Sequence, residues 1–347
     1  MIKKYPHEWK KYFDSRCIPQ NVQDEYLSYI KNLHYQDIPI IFEIEHLALL
    51  LGIEISVLNR MIFGTKSFYR TFEIPKKSKD SVRIIDAPYP SLLSVQQWIL
   101  KNILKNIHID DSAHAYMKKK SILTNVTPHL NNKVLLKIDL KNFFPNVEKN
   151  RIIAVFLKLG YTQNISVALA SLCTLNNHLP QGAATSPTLS NIIAYRLDRR
   201  LSSFCKKNNM VYTRYADDMV ITSKYISLNS KEFIINIIED CGFIVNKNKT
   251  YLSTNLKKRI ITGISIQHGI TKIPRKLKRE IKQELHYLNK YGFYSHINKK
   301  KITNPFYLEK IRGQVLFWNF IESDSDIAKK MLSDINRIIK IVETLSQ

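Results

Sequence analysis

The stretch TRYADDMVI, residues 213–221, sets two adjacent carboxylates, Asp217 and Asp218, between two runs of strand-forming residues. Side by side the two charges repel each other, so the fold needs something to offset them, and a divalent cation is the obvious candidate. The wider segment MVYTRYADDMVITSK (210–224) reads as two strands joined at the acidic pair, a hairpin. Further upstream, KVLLKIDLKNFFPNV (133–147) is a buried strand running into a turn, with Asp139 at the end of the apolar run VLLKID. If both segments lie in one antiparallel sheet, Asp139 and Asp217 reach a single rim. Three carboxylates there suit two Mg²⁺ ions about 3.5–4 Å apart, which clamp the attacking and leaving oxygens of an in-line phosphoryl displacement.

The alternative is that Asp-Asp decorates an exposed turn, where Asp is at home. A Tyr-x-Asp-Asp quartet is expected by chance in on the order of a few per cent of chains this long, so the quartet alone decides little. Its context adds weight: an Asp at a strand end, then LPQGAATSPTLSN (179–191), then the quartet, in that order.

Composition narrows the partners. Fifty-three Lys and Arg against 29 Asp and Glu leave a formal charge of +24, which points to a polyanion whose counterions are released on binding. Ribosomal and membrane-surface proteins share that bias. At 347 residues and 44% hydrophobic content the chain is a folded protein with one large core or two or three subdomains, not a disordered one. No apolar run approaches the roughly 18 residues of a membrane span, and MIKKYPHEWKKYFDSR lacks the apolar centre of a signal peptide, so a cytoplasmic protein without a membrane partner is expected. Cys17, Cys173, Cys205 and Cys241 lie far apart, and the ten histidines show no ligand spacing around them; reduced thiols and no structural zinc are predicted.

Residues 1–68 read as a helical extension, with Gly52 breaking EHLALLLGIEISVLNRMI. FYRTFEIPKKSKDSVRIIDAP (68–88) is a hairpin with a basic tip, and SLLSVQQWILKNIL (91–104) is a helix with Leu92, Val95, Trp98, Ile99 and Ile103 on one stripe. Helices are predicted at NRIIAVFLKLG, ISVALASLCTL, TLSNIIAYRLDRRLSSFCKK and KEFIINIIEDCGF, and a last strand pair at KKRIITGISIQHGITKI, turning at HG. PRKLKREIKQELHYL (274–288) is a basic amphipathic helix: Leu277, Ile281, Leu285 and Leu288 share a face, while Lys276, Arg279 and Lys282 lie on the others. A solvated charged face explains that helix equally well.

Taken together, these motifs resemble the reverse transcriptases, and among them the bacterial retron enzymes. KIDLKNFFPNV is similar to their first catalytic motif, LPQGAATSPTLSN to the second and YADD to the third; GFIVNKNKT and RIITG resemble the two that follow. The likeness runs from about Tyr69 to the C terminus. It implies an α+β right-hand polymerase: fingers and a palm with an antiparallel sheet over 69–265, a helical thumb and RNA-binding region over 266–347, and the N-terminal helical extension. Asp139 and Asp217 would be the principal metal ligands, with Asp218 beside them. Phe144 falls where the family places an aromatic gate against the 2′-OH of an incoming nucleotide; a core aromatic is the alternative. Gln181 and Gly182 would line the nucleotide pocket, Gly182 by letting backbone approach closely, although a helix-entry turn also explains it. Arg83 would grip the triphosphate of a dNTP. Lys249 would sit near the leaving phosphate, with Lys247 competing for that place.

Finer features resemble the retron branch. SILTNVTPH (121–129) is similar to its N-A-x-x-H segment, with Val126 in place of Ala, and Ile261–Thr262–Gly263 to its V-T-G triplet. Asn125 and His129 would then serve RNA binding, a core histidine being the alternative for His129. Thumb cations, Lys276, Arg279 and Lys282 among them, would grip phosphates, and Tyr291, Phe293, Tyr294 and Trp318 would stack on bases or pack a small core. The resemblance implies a cognate structured noncoding RNA, priming from a guanosine 2′-OH, and a multicopy single-stranded DNA (msDNA) joined to RNA by a 2′,5′ linkage. It also implies an effector protein and anti-phage defence. Rival readings are a maturase-like or diversity-generating reverse transcriptase, a template-independent or protein-primed enzyme, and a non-catalytic RNA-binding scaffold.

Overall fold

A computed structural model describes residues 6–75, 82–254, 259–267 and 269–345. The helices are α1 (Pro6–Ser15), α2 (Gln20–Tyr35), α3 (Ile44–Leu51), α4 (Ile55–Phe63), α5 (Pro90–Asn102), α6 (Ile122–Val126), α7 (Lys149–Lys158), α8 (Gln163–Cys173), α9 (Ser186–Lys207) and α10 (Leu228–Asp240). Four more close the chain: α11 (Arg275–Tyr291), α12 (Phe293–Lys300), α13 (Tyr307–Ile321) and α14 (Asp326–Leu345). The strands are β1 (Tyr69–Pro75), β2 (Val82–Pro88), β3 (Val134–Asp139), β4 (Val211–Tyr215), β5 (Asp218–Ser223), β6 (Tyr251–Ser253), β7 (Arg259–Ile261), β8 (Ile264–Gln267) and β9 (Ile270–Lys272).

Two compact units divide the chain, and both are discontinuous in sequence. The first takes 1–116, 139–201 and 233–246; the second takes 117–138, 202–232 and 247–347. Neither the 68/69 nor the 265/266 division coincides with these limits.

In the first unit α8 is the core helix. It is buried from Ile165 to Cys173 except at Val167, as suits a helix apolar nearly all round, and it packs against α4, α5 and α7. Cys173 lies at its end, where burial pushes the thiol up to about 12 and keeps it from the reactive thiolate form. α3 ends at Gly52, the expected break in the apolar pattern, which has φ +68° and forms a left-handed cap. β1 and β2 pair antiparallel from Tyr69↔Pro88 to Pro75↔Val82, and the basic tip KKSKDS (76–81) lies outside the described residues.

The second unit holds a four-stranded sheet in the order β4-β5-β3-β6 and a three-stranded sheet β7-β8-β9. One hydrophobic core runs through it. Leu135 of β3 and Val220 of β5 belong to the same cluster as Ile264 of β8, Leu285 of α11 and Trp318 of α13. The C-terminal helices therefore share their core with the sheet and are not a separately packed module. On α11 Ile281, Leu285 and Leu288 are buried while Lys276, Arg279 and Lys282 are exposed, the division its spacing predicted. The last strand pair expected at 257–273 is three strands, because a two-residue turn at Thr262–Gly263 adds β7 ahead of the pair. Among the described residues no single helix is long and apolar enough to cross a membrane; α3 and α4 reach that length only as a pair bent by 109°.

Candidate active site

The acidic hairpin is tight. Tyr215 pairs with Asp218, leaving Ala216 and Asp217 as a two-residue loop, so Asp217 stands in the turn while Asp218 is the first residue of β5. Ala216 has φ +56°, a conformation that alanine adopts at a penalty of about 1–2 kcal/mol. Its carbonyl accepts a hydrogen bond of 3.2 Å from Nη1 of Arg214, a fully buried side chain that braces the turn from within the sheet. Across the sheet, Nζ of Lys137 on β3 lies 3.2 Å from both carboxylate oxygens of Asp218. At the opposite end of the two strands Nδ2 of Asn132 donates to the Thr222 hydroxyl at 2.9 Å. These contacts run β3 and β5 in opposite directions.

Asp139 closes β3 two residues after Lys137, and the boundary between the compact units falls immediately before it. It is 7% exposed. Asn246 holds it twice: the Asn246 backbone N–H donates to the Asp139 carbonyl at 2.8 Å, and Nδ2 donates to Oδ1 at 2.9 Å. Among the described residues no three His, Cys, Asp or Glu side chains converge into a ready-made cation cage. Carboxylate oxygens are the donor type that suits a hard divalent ion, and of the three carboxylates Asp218 is engaged by the Lys137 ammonium. Mg²⁺ is commonly held by one or two carboxylates with substrate phosphates completing its shell, so a converged protein cage is not required.

Gln181 and Gly182 form a turn that the β1–β2 hairpin covers. The Asp86 N–H of β2 donates to the Gln181 carbonyl at 3.0 Å, and a Cβ built on Gly182 would stand 2.5 Å from the Asp86 carbonyl oxygen. The close backbone approach that glycine permits is thus made by β2. Gln96 of α5, fully buried, ties the same turn down: Oε1 accepts from the Ala184 N–H at 3.2 Å, and Nε2 donates to the Tyr69 hydroxyl at 2.7 Å and the Leu172 carbonyl at 2.9 Å. Arg83 is exposed on β2, three residues before Asp86. Phe143 is buried and stacks on Phe243 at 5.9 Å, whereas Phe144 is half-buried and meets the half-exposed Tyr116 at 6.3 Å. Of the two aromatics in NFF, the first packs and the second keeps an accessible face. Lys247 and Lys249 are both exposed, on one helical turn at 247–249.

Direct RNA contact is not open to Asn125 and His129 in this structure: both are fully buried. The His129 ring clamps two strands. Nδ1 lies 2.7 Å from the Thr222 hydroxyl on β5 and Nε2 lies 2.8 Å from the Thr213 hydroxyl on β4. Since Thr213 donates to the Asn125 carbonyl at 3.2 Å, its oxygen accepts from Nε2–H. The ring is a link in a chain of hydrogen bonds from Asn132 to Asn125. Replacing His129 with Leu should destabilise the fold by about 2–4 kcal/mol, by taking one hydrogen bond from each of two buried hydroxyls, and leave the RNA affinity of the folded protein within about twofold. Denaturant unfolding and filter binding would check both halves. Trp318 is 1% exposed with Nζ of Lys278 5.1 Å above its ring, so it packs the core; Tyr291 and Tyr294 are about half exposed.

Lys137, Asn246, Arg214 and Gln96 went unnoticed as site residues in the sequence. Two left a trace, a lysine within the apolar run of β3 and an arginine as the one charged residue of β4. The amides left none, since an Asn in GFIVNKNKT or a Gln in SVQQW does not show its distant partner.

A family profile described as "Reverse transcriptase (RNA-dependent DNA polymerase)" matches residues 74–306. The chain is 30% identical over 319 residues to the retron Ec86 reverse transcriptase of Escherichia coli, covering 91% of this chain and 95% of that one. It is 29% identical over 281 residues to the retron Mx162 reverse transcriptase of Myxococcus xanthus, covering 70% and 58%. Among solved structures, a telomerase from Candida albicans in complex with a fragment of telomeric RNA aligns at a TM-score of 0.44 and 13% identity, over 78% of this chain and 63% of that one. The chain belongs to the reverse transcriptases, with their right-hand polymerase fold and RNA-directed DNA polymerase activity, and within them to the bacterial retron group.

Proposed function

We propose that this chain binds its own structured noncoding RNA, primes from a guanosine 2′-OH within it, and copies part of it into msDNA. The observation that carries the catalytic part is the run of β3 beside β5: Lys137 reaches Asp218, and the same strand ends two residues on at Asp139. In this reading Asp139, Asp217 and Asp218 hold two Mg²⁺ ions. When bound, such ions activate the attacking hydroxyl and offset the charge that develops on the transferred phosphate. Asn246 keeps the Asp139 carboxylate oriented, and Arg214 keeps Asp217 in its turn. Arg83, Gln181, Gly182 and Lys249 meet the dNTP; Phe144, with an accessible ring face, excludes a 2′-OH there.

The thumb cations Lys276, Arg279 and Lys282 project from α11 and suit an RNA backbone, where each phosphate contact releases counterions. We place the reaction in the cytoplasm, where template and dNTPs meet, and assign it to anti-phage defence with an effector protein, a role drawn from the likeness to retron enzymes.

The test is to express the chain with its native upstream locus and extract nucleic acid. A short DNA whose mobility shifts on treatment with RNase or a debranching enzyme, present in wild type and missing in Asp217→Asn, is the expected product. A wild type that extends a supplied primer on RNA but yields no branched DNA would leave the polymerase standing and remove the retron priming. Plaque counts with and without the locus test the defence role.

A further inference from the structure

We propose that the corner where α11 meets α12 is a nucleobase-binding cleft, in which one unpaired base of the RNA stacks on Tyr291 while Lys290 and Lys299 meet the flanking phosphates. The inference rests on the reading of this chain as one that binds its own structured RNA. Every residue it uses lies in the second compact unit.

The cleft has a volume of about 410 Å³, in the range of small-ligand sites, and lies between the α11–α12 corner and the C-terminal half of α14. Its lining combines the buried Leu288 and Ile338 with Tyr291 and Ile341, each about half exposed. Nη2 of Arg337 donates to Oδ1 of Asn289 at 3.0 Å, which fixes two polar groups of the lining. Among the described lining residues none is acidic.

What sets Tyr291 apart is the row of rings behind it. It stacks on Tyr287 at 6.1 Å, Tyr287 on His296 at 6.1 Å, and His296 on Tyr307 at 5.9 Å. The row ends in a buried polar knot: the Tyr307 hydroxyl donates to Oε2 of Glu284 at 2.5 Å, Nε2 of His296 lies 3.0 Å from the same oxygen, and Nζ of Lys300 donates to Oε1 at 2.6 Å. α11, α12 and α13 are thereby tied together under the row, and its half-exposed end is a ring held in place before any ligand arrives, so little freedom is lost when a base lands on it. Nζ of Lys290 and Nζ of Lys299 lie 5.3 and 5.9 Å from the centre of the Tyr291 ring. A nucleotide suits this pairing because it brings a planar base and a phosphate together, whereas an acidic peptide brings charge with no obligatory ring. The RNA is held before any DNA exists, so the base is one of its own. The cleft lies about 22 Å along α11 from Lys276, and an RNA that meets Lys276, Arg279 and Lys282 with its backbone can place a loop or bulge there.

The test is filter binding of the full chain to the RNA transcribed from its native upstream locus, over a salt series, beside a perfectly paired RNA duplex of the same length. Tyr291→Leu keeps apolar bulk and removes the flat ring; it should weaken binding to the locus RNA about five- to fiftyfold with the salt dependence unchanged. Tyr291→Phe should stay within about twofold of wild type. Lys299→Gln should lower the slope of log affinity against log salt by about 0.7, the share of one single-strand phosphate. Duplex affinity should not respond to Tyr291→Leu. If Tyr291→Leu does not fold, Tyr291→Ala carries the same prediction. Wild-type affinity for the locus RNA in a folded Tyr291→Leu or Tyr291→Ala protein would overturn the proposal and leave the cleft to the DNA product or to a protein. An equal loss on the duplex would overturn it too, because the loss would then not be one of stacking. If wild type itself holds the locus RNA no better than an unrelated RNA of equal length, the cognate-RNA reading fails and the proposal with it. If it holds it better and Tyr291→Leu holds it equally well, only the cleft fails.

Discussion

Asp217→Asn is expected to slow primer extension on an RNA template by at least about 10³-fold, equivalent to about 4 kcal/mol of transition-state stabilisation. Asparagine matches aspartate in size and suits a two-residue turn, so the hairpin with its Tyr215↔Asp218 pair should persist. What is lost is one anionic oxygen donor at the turn. RNA affinity should remain within about twofold, because it draws on cations spread over a chain that carries 53 Lys and Arg, not on the acidic turn. Single-turnover extension, filter binding and a thermal melt on one preparation measure the three quantities. Asp139→Asn should be comparably slow, whereas Asp218→Asn should lose less, since Asp218 is already engaged by Lys137. Full activity in Asp217→Asn would refute its assignment as a metal ligand.

What could be seen in the sequence was what local pattern encodes. The hairpin at 210–224, the strand ending at Asp139 and the apolar stripe of α11 each follow from periodicity within a dozen residues, and each is found. Pairings between distant segments were not legible. Nothing in VLLKID shows that Lys137 faces an acid some eighty residues on, or that Asn246 caps Asp139, because such contacts are created by sheet order. His129 shows the converse. Its motif drew attention to RNA, yet its place in the sheet spends both ring nitrogens on threonine hydroxyls. Nor does local pattern show that the C-terminal helices close over the sheet's own core, since that contact joins segments far apart in the chain.

Gly182→Ala is expected to be far more damaging than Gly52→Ala, and comparison of the two isolates the reason. Both glycines have positive φ, +142° for Gly182 and +68° for Gly52, so each substitution carries backbone strain of about 1–3 kcal/mol. They differ in what a methyl group meets. At Gly52 nothing lies within 4 Å of the added carbon, whereas at Gly182 it would overlap the Asp86 carbonyl oxygen at 2.5 Å. That oxygen cannot step aside alone. Asp86 donates its N–H to Gln181, its carboxylate accepts from the Thr71 hydroxyl at 2.7 Å, and β2 is paired with β1 along its length. The alternatives are to unfold locally or to lift β2 off the turn, carrying Arg83 with it. Gly52→Ala should lower the melting temperature by only a few degrees, and Gly182→Ala by about 6–12 °C for a loss near 3 kcal/mol. The dNTP concentration for half-maximal extension should rise by at least about tenfold in Gly182→Ala, if, as in the proposed function, Arg83 and Gln181 meet the dNTP together. Hydrogen exchange at the Asp86 amide reports directly on the lifted strand. Slow exchange there, together with wild-type dNTP dependence, would show that β2 and the 181–182 turn do not act as one element.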